Sequence, residues 1–492
     1  MTDQWLGSYQ VLPRMQNFLM KHFLIMLAVT LLGSAAAIAV PFWGVMLYYG
    51  FATLRPQFLW EWSLSQAPQL RWSLTAGLVA VVATLVNLPT VLRTFRGNKV
   101  LTLLLVYAVL MLLSMLTAFN PKVAMYWAQE YGKVFLMAIV ATLVIQRFWQ
   151  VRAMGVMIAL CLGYIAYEVN FMYLLEGGRL DIFHHGYGGL DNNGAGALLV
   201  LGLPFAYFLA TSPVGSWSTA RRIFGGVLGL CIIHAVMMTY SRGAMLTAMF
   251  GLTWLLIHHR PRLQAAALSV MLAGAVFMMA GNEIRERFVS TADYKEDASA
   301  LSRFDSWEAA WEMALANPLT GKGIRNSNAF SQNFGADLAG RTIHNQYLQI
   351  AADSGIPAAG VYITMIGVGI VGLGRARRRC RKAEETFETG PVPKGPHDRE
   401  QLIARARDAG SLCLSLQTGV LMFSFSAMFL SVELVEVPWL LIVLSGILPA
   451  AVDRRLEGLG LEEVEEEQQE QSAPKRFGPP TPPASLPGRI AA

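Results

Sequence analysis

Three side chains stand out where a mostly apolar chain turns polar. Arg242 lies in Thr239-Tyr240-Ser241-Arg242-Gly243-Ala244, Arg303 in Ser302-Arg303-Phe304-Asp305, and His344 in His344-Asn345-Gln346-Tyr347. A guanidinium offers a planar fork of donors that matches paired anionic oxygens. At mid-membrane depth an arginine costs about 2.5–3.5 kcal/mol on insertion scales. Arg242, almost without a linker between two apolar stretches, therefore either snorkels to headgroups or holds an anion such as a lipid-linked phosphate. Arg303 is either a surface charge or a second anion contact beside a helix start. A lone histidine is more often structural than catalytic, yet near neutral pH it is the side chain best suited to taking a proton from a hydroxyl.

Further polar groups flank these three. Gly188-Gly189-Leu190-Asp191-Asn192-Asn193-Gly194 precedes an apolar stretch, and Asp191 or Asn192 either caps that helix or, with Asn193, Arg179, His184, His185 and Tyr187, lines a polar mouth for sugar. Asn345, Tyr347 and Lys322 are the remaining candidates for substrate contact. The adjacent His184-His185 pair has no spaced acidic partner, and no His/Asp/Glu set has the spacing of a divalent-metal site, so neither metal nor other cofactor is expected. Gly321 and Gly323 are too few for a phosphate loop. The capping-box-like Ser302–Asp305 predicts a helix start, and Phe304, Trp307, Trp311, Ala314 and Leu315 continue it to Asn317-Pro318. Its aromatic stripe suits packing on a membrane domain or interface, or less readily a sugar platform.

The elements that must position these groups are membrane helices. Of the 492 residues 54% are hydrophobic and 15% charged, more apolar surface than a soluble domain can cover. Stretches at roughly 22–52, 74–92, 100–118, 131–146, 153–173, 194–211, 223–240, 243–257, 264–280, 355–374, 411–429 and 435–452 have about the length a bilayer core requires. The fold class is therefore all-α, a polytopic integral membrane protein with about 12 transmembrane helices. The first stretch, containing Gly33 and Pro41, is tilted, kinked or folded as a hairpin. It reads as an uncleaved first anchor.

The net charge of +6 comes from short basic clusters, not a nucleic-acid-binding face. Arg93, Arg96 and Lys99, Arg147 with Arg152, Arg221 with Arg222, Arg260 with Arg262, Arg375–Arg379, and Arg454 with Arg455 all fall on one side if each stretch crosses once. By the charge rule that side is the cytoplasm. The expected organisation is 1–280 N-terminal transmembrane helices, 281–354 a large periplasmic loop with amphipathic helices, and 355–452 C-terminal transmembrane helices with a charged cytoplasmic loop at 375–410. Residues 453–492, acidic and then Pro-rich, read as a disordered cytoplasmic tail. The cysteines Cys161, Cys231, Cys380 and Cys413 suggest no disulfide.

The chain resembles the O-antigen ligase and polymerase superfamily. His344-Asn345 is followed after nine residues by Gly355, as in family ligases, with Ala358 where they carry Gly, Thr or Tyr. The Ser241-Arg242-Gly243 turn and the Arg303, Trp307, Pro318, Gly321, Gly323 array match as well. Asp191-Asn192-Asn193, Leu203-Pro204 and Arg55-Pro56 look most like exosortase-associated O-glycosylation ligases.

This resemblance implies a GT-C-like, metal-independent glycosyltransferase of the bacterial inner membrane, its active site facing the periplasm. It would move a glycan from a polyprenyl (undecaprenyl) diphosphate carrier to an acceptor hydroxyl on lipid A-core or protein, with inversion. His344 would accept the proton while Arg242 and Arg303 hold the diphosphate. A growing glycan as acceptor would make it a polymerase, and a lipid-linked sugar transporter is the non-enzymatic alternative. Against the latter stand the absence of an inverted repeat and the reactive residues in the polar insert.

Overall fold

Proline and short polar breaks cut the apolar sequence into helices. The computed structural model describes residues 13–60, 64, 70–175, 181–215, 218–258, 298–330, 343–393 and 395–465. In chain order the helices are α1 (Pro13–Ala39), α2 (Phe42–Leu54), α3 (Pro56–Leu59), α4 (Trp72–Val86), α5 (Leu88–Thr94), α6 (Lys99–Ser114), α7 (Pro121–Val144), α8 (Phe148–Leu175), α9 (Asp181–His185), α10 (Asn192–Leu199), α11 (Leu203–Thr211), α12 (Ser218–Met238), α13 (Arg242–His258), α14 (Ala298–Ala316), α15 (Ser327–Phe330), α16 (Gln346–Ser354), α17 (Ile356–Thr389), α18 (Arg399–Ser426) and α19 (Glu436–Glu457). Among the described residues there is no strand, only an isolated antiparallel bridge between Tyr187 and Leu190.

The protein is a polytopic, all-helical membrane protein. Eight described segments are long and apolar enough to cross a membrane, from His22–Ala39 to Glu436–Glu457, and α4 with α5 would make a ninth span bent by 80° at Asn87. The expected stretches 131–146 and 243–257 are helical as α7 and α13, whereas 264–280 lies outside the described residues. The long first stretch is a hairpin that turns at Val40-Pro41: Gly33 faces Leu47, Gly44 faces Ala37, and the rings of His22 and Trp60 lie 5.3 Å apart. Pro41 has no N–H to continue α1, and α2 starts directly after it.

Two boundaries differ from the sequence expectation. The charged segment 375–410 is mostly not a loop, because α17 runs 34 residues to Thr389 and α18 begins at Arg399. The reason is a buried seam of small residues at helical spacing, Ala376, Cys380 and Ala383 on one helix with Ala406, Ala409 and Cys413 on the other, which lets the backbones approach. Residues 453–457, expected in a disordered tail, are instead the end of α19, where Asp453 pairs with Arg379 at 2.9 Å.

The basic clusters among the described residues meet at one end of the bundle; Arg260 and Arg262 lie outside those residues. Asp408, its side chain 1% exposed, lies 3.7 Å from Arg152 and 3.6 Å from Arg455, and accepts from Ser212 Oγ at 2.6 Å. Arg221 donates to the carbonyls of Ser212 and, at 2.6 Å, Val214. The polar connections 55–60, 186–193, 239–242, 318–327, 343–345 and 427–435 gather at the other end. Beneath them lies an aromatic floor in which Trp439 contacts Tyr107 at 6.0 Å, Phe135 at 5.0 Å and Tyr362 at 5.8 Å between ring centres. That floor makes the site end a stiff support.

Candidate functional site

Arg242 starts α13, and contacts from α10 and from α13 itself fix the turn before it. Ser241 Oγ accepts from the N–H of Ala244 at 3.3 Å and donates to Asn193 Oδ1 at 2.9 Å, while Asn192 Nδ2 donates to the carbonyl of Thr239 at 3.0 Å. Asp191 caps α10, its Oδ1 accepting from the N–H of Gly194 at 2.8 Å. Three of the residues proposed to line a sugar mouth are thus engaged in protein contacts: Asp191 holds its own helix, and Asn192 and Asn193 hold the arginine turn. Tyr240 is held at φ +52°. Arg242 is half-buried.

His344 is also held in the left-handed region, at φ +54°, immediately before α16. Asn345 caps that helix, its Oδ1 accepting from the N–H groups of Tyr347 at 3.1 Å and Leu348 at 3.2 Å. Gln346 ties the segment to the connection between α18 and α19: its N–H donates to the carbonyl of Ala427 at 2.8 Å, and its Oε1 accepts from the N–H of Val432 at 3.3 Å. Its Nε2 also donates to Tyr362 Oη in the aromatic floor. Tyr347 Oη donates to the carbonyl of Ser424 at 2.8 Å. Gly243 faces Phe429 of the same connection, where a Cβ would meet that of Phe429 at 3.6 Å. The segment 424–432 therefore touches both the arginine turn and the histidine segment.

Arg303 lies within α14. That helix already includes Ala298, so Ser302 is an interior residue and the capping expected there does not occur. The aromatic stripe divides: Trp307 packs against the buried cluster of Ala309, Ala310, Met313, Ile343 and Ala352, whereas Phe304, Trp311 and Leu315 stay exposed. Beyond α14, Ile356 donates to the carbonyl of Pro318 at 2.8 Å, and Lys322 to that of Ala352 at 2.9 Å. The C-terminal ends of α14 and α16 are thus bound together, and both helices contribute to one buried apolar cluster.

The glycines of this array serve the clamp. Gly355, at φ +89°, packs where a Cβ would lie 2.4 Å from the carbonyl oxygen of Leu319, and at Gly323, φ +96°, one would meet Ala118 Cβ at 2.5 Å. Lys322 receives the N–H of Phe119 on its own carbonyl at 3.0 Å. Arg179 lies outside the described residues.

Sequence reasoning passed over the carboxylates that tie this end together. Glu433, its side chain 2% exposed, lies 3.8 Å from Arg325 and accepts from Tyr131 Oη. Glu436 lies 3.6 Å from Arg55, which also donates to the carbonyl of Gly188. Arg325 stacks over Trp127 at 5.0 Å, and the buried Asp353 accepts from the N–H of Ser327 at 2.9 Å. Burial pushes the carboxyl groups of Glu433 and Asp353 above their ordinary range, partly opposed by the Arg325 charge. Two acids spaced three apart in Ser431-Val432-Glu433-Leu434-Val435-Glu436, between two apolar stretches, were a legible signal. Nothing local marked Arg325 or Tyr131 as their partners.

Arg55, Tyr240, Arg325 and His344 are the four non-glycine residues with positive φ among the described residues, and all four belong to this end. Such a conformation costs about 1–3 kcal/mol per residue and persists where surrounding contacts over-determine it, commonly at functional sites. Among the described residues no three His, Cys, Asp or Glu side chains gather as metal ligands.

Fold and site together define a multi-pass membrane protein with a cationic, histidine-bearing polar end. The model of a family described as O-antigen ligase matches residues 227–363, a stretch that contains Arg242, Arg303 and His344, and this match supports membership of the O-antigen ligase superfamily. The match also supports membrane glycan processing of the ligase or polymerase type. No curated protein matches the chain.

Proposed function

We propose that the protein transfers a glycan from a polyprenyl diphosphate carrier to an acceptor hydroxyl, on lipid A-core or protein, at the periplasmic face of the bacterial inner membrane. The reading is carried by one observation: the arginine turn and the histidine segment both rest on the connection between α18 and α19, with Tyr240 and His344 in the left-handed region. Arg242 and Arg303 hold the diphosphate. The acceptor oxygen attacks the anomeric carbon, His344 takes its proton, and the bond from that carbon to the diphosphate oxygen breaks. Negative charge grows on the leaving diphosphate, where guanidinium donors stabilise it most. The carrier bond already holds the energy of transfer, so the protein's task is mainly to position two substrates. A single displacement inverts the anomeric centre.

Purified protein in nanodiscs, given an undecaprenyl diphosphate glycan with lipid A-core, peptide or glycan acceptors, tests this by product mass. A product on lipid A-core or peptide is expected. Extension of the glycan alone would make the protein a polymerase. Movement of the carrier lipid across the bilayer with no covalent product from any acceptor would make it a transporter. Transfer is expected to persist in EDTA, because the arginines supply the cationic charge facing the diphosphate. Loss in EDTA with rescue by Mg²⁺ would defeat the metal-independent mechanism.

A further inference from the structure

At the basic end, opposite the site, a cavity of about 490 Å³ opens between the α1–α2 turn, the broken α4–α5 segment, the α7–α8 connection and the end of α19. This volume is typical of ligand pockets, which span about 300–1,000 Å³. Arg93, Arg96, Arg147 and Arg454 line it, and among the described residues no Asp or Glu does. The orientation rule accounts for basic residues near span ends, but it does not require four arginines from three separate stretches of the chain to line one cavity. Arg454 donates to the carbonyl of Gln146, and Arg93, Arg96 and Arg147 are exposed.

The surroundings are those of a membrane boundary. Trp43 and Trp149, with ring centres 6.4 Å apart, are each about two-fifths exposed, as interfacial aromatic anchors are. Asn87 Nδ2 donates to the carbonyl of Ile38 at 3.0 Å, which brings the bend of the α4–α5 segment to the lip of the α1–α2 turn. Around that junction Ile38, Val86 and Leu92 are exposed apolar side chains. Cationic groups at the headgroup level with apolar side chains beside them match an amphiphile carrying a phosphate. A soluble anion would need only the arginines.

We propose that this cavity binds the phosphate headgroup of an anionic phospholipid, with the acyl chains lying against the adjoining apolar surface. Basic pockets between membrane helices on the cytoplasmic side recognise anionic headgroups in this way. The site is separate from the glycan-transfer site and independent of the function proposed for it.

Native mass spectrometry of the purified protein tests the assignment with phosphatidylglycerol, phosphatidylcholine and inorganic phosphate as probes. Phosphatidylglycerol should bind roughly tenfold or more tighter than phosphatidylcholine, and the double variant Arg93→Gln/Arg147→Gln should erase that preference. The variant Arg93→Lys/Arg147→Lys keeps the charges that set membrane orientation but loses the planar forks, so it should insert normally and bind phosphatidylglycerol more weakly than the native protein. If the Gln variant fails to insert, the Lys variant decides. An unchanged lipid preference in the variant that inserts would overturn the proposal and leave the arginines as orientation signals. Displacement of the lipid by inorganic phosphate at equal concentration would overturn it in favour of a free-anion site.

Discussion

Each end of the bundle holds a buried carboxylate paired with arginine, and the two are built differently. At the basic end Asp408 lies inside α18, and its partners Arg152 and Arg455 lie inside α8 and α19. At the other end Glu433 lies in a connection and its partner Arg325 in another, at φ +57°. Asp408 joins regular helices, whereas Glu433 holds irregular backbone in place. Irregular backbone with φ above zero, paid for by buried ion pairs, is the pattern expected where side chains must be aimed at a substrate. The contrast separates stabilising ionic contacts from those that position a site.

The strongest way to break this contrast is at the proposed reacting groups. His344→Ala should lower turnover by about 10²–10⁴-fold, as loss of a general base does, and leave binding of the lipid donor nearly intact. Arg242→Lys and Arg303→Lys keep the charge but lose the fork, so donor binding should weaken as transfer slows. Single-turnover rates alongside donor titrations separate the two patterns. Near-normal transfer by correctly inserted His344→Ala protein would remove the histidine from the mechanism.

The two carboxylates give the next largest difference. Glu433→Ala leaves the Arg325 guanidinium, 10% exposed, without its ion-pair partner, a change that costs about 3–5 kcal/mol for a buried pair. Asp408→Ala should cost less, because Arg152 and Arg455 are 33% and 19% exposed and can turn toward water. Thermal unfolding in detergent orders the two variants. Transfer per folded molecule should fall only in Glu433→Ala, and an equal fall in both would erase the functional distinction between the ends.

The raised carboxyl of Glu433 fixes the direction of a pH effect. Burial makes the folded state bind this proton more tightly than the unfolded chain, whose ordinary value is 4.5. Stability from this group is therefore greatest below that value and is lost as pH rises through the interval up to the folded value. Asp353, raised in the same way from 3.8, adds to the slope. The melting temperature of Glu433→Gln should fall less steeply as pH rises above 4.5 than that of the native protein. An identical slope would remove Glu433 as a source of the effect.

Much of this arrangement was legible in the sequence, and the reasons differ between elements. The helical class follows from apolar stretches near the length a bilayer requires, and the grouping of basic residues from the charge rule. The hairpin at Val40-Pro41 was one of three allowed shapes, because a proline marks a break without fixing the angle. The helical course of 375–389 was missed because its charged face outweighs the Ala/Cys seam in composition. At the site, Arg242, Arg303 and His344 were marked by residue type and setting. The roles of Asn192, Asn193 and Glu433 depend on partners distant in the chain, which no local pattern displays.

The smallest expected effect tests whether Asn193 positions or binds. Its Oδ1 accepts the Ser241 hydroxyl hydrogen, and Ser241 in turn accepts from the N–H of Ala244 in the first turn of α13. Asn193→Ala removes one hydrogen bond from the backbone that aims Arg242, worth about 0.5–1.5 kcal/mol. That energy corresponds to a slowing of roughly two- to tenfold if it is lost fully from the transition state. A positioning residue should transmit this loss through Arg242, so adding Asn193→Ala to Arg242→Lys should slow transfer by less than the product of the single effects. A residue that contacts the glycan itself, independently of the turn, should give multiplicative losses. It should also discriminate between donors carrying different sugars. Multiplicative behaviour with altered sugar preference would return Asn193 to the sugar mouth and leave the arginine turn dependent on Asn192 alone.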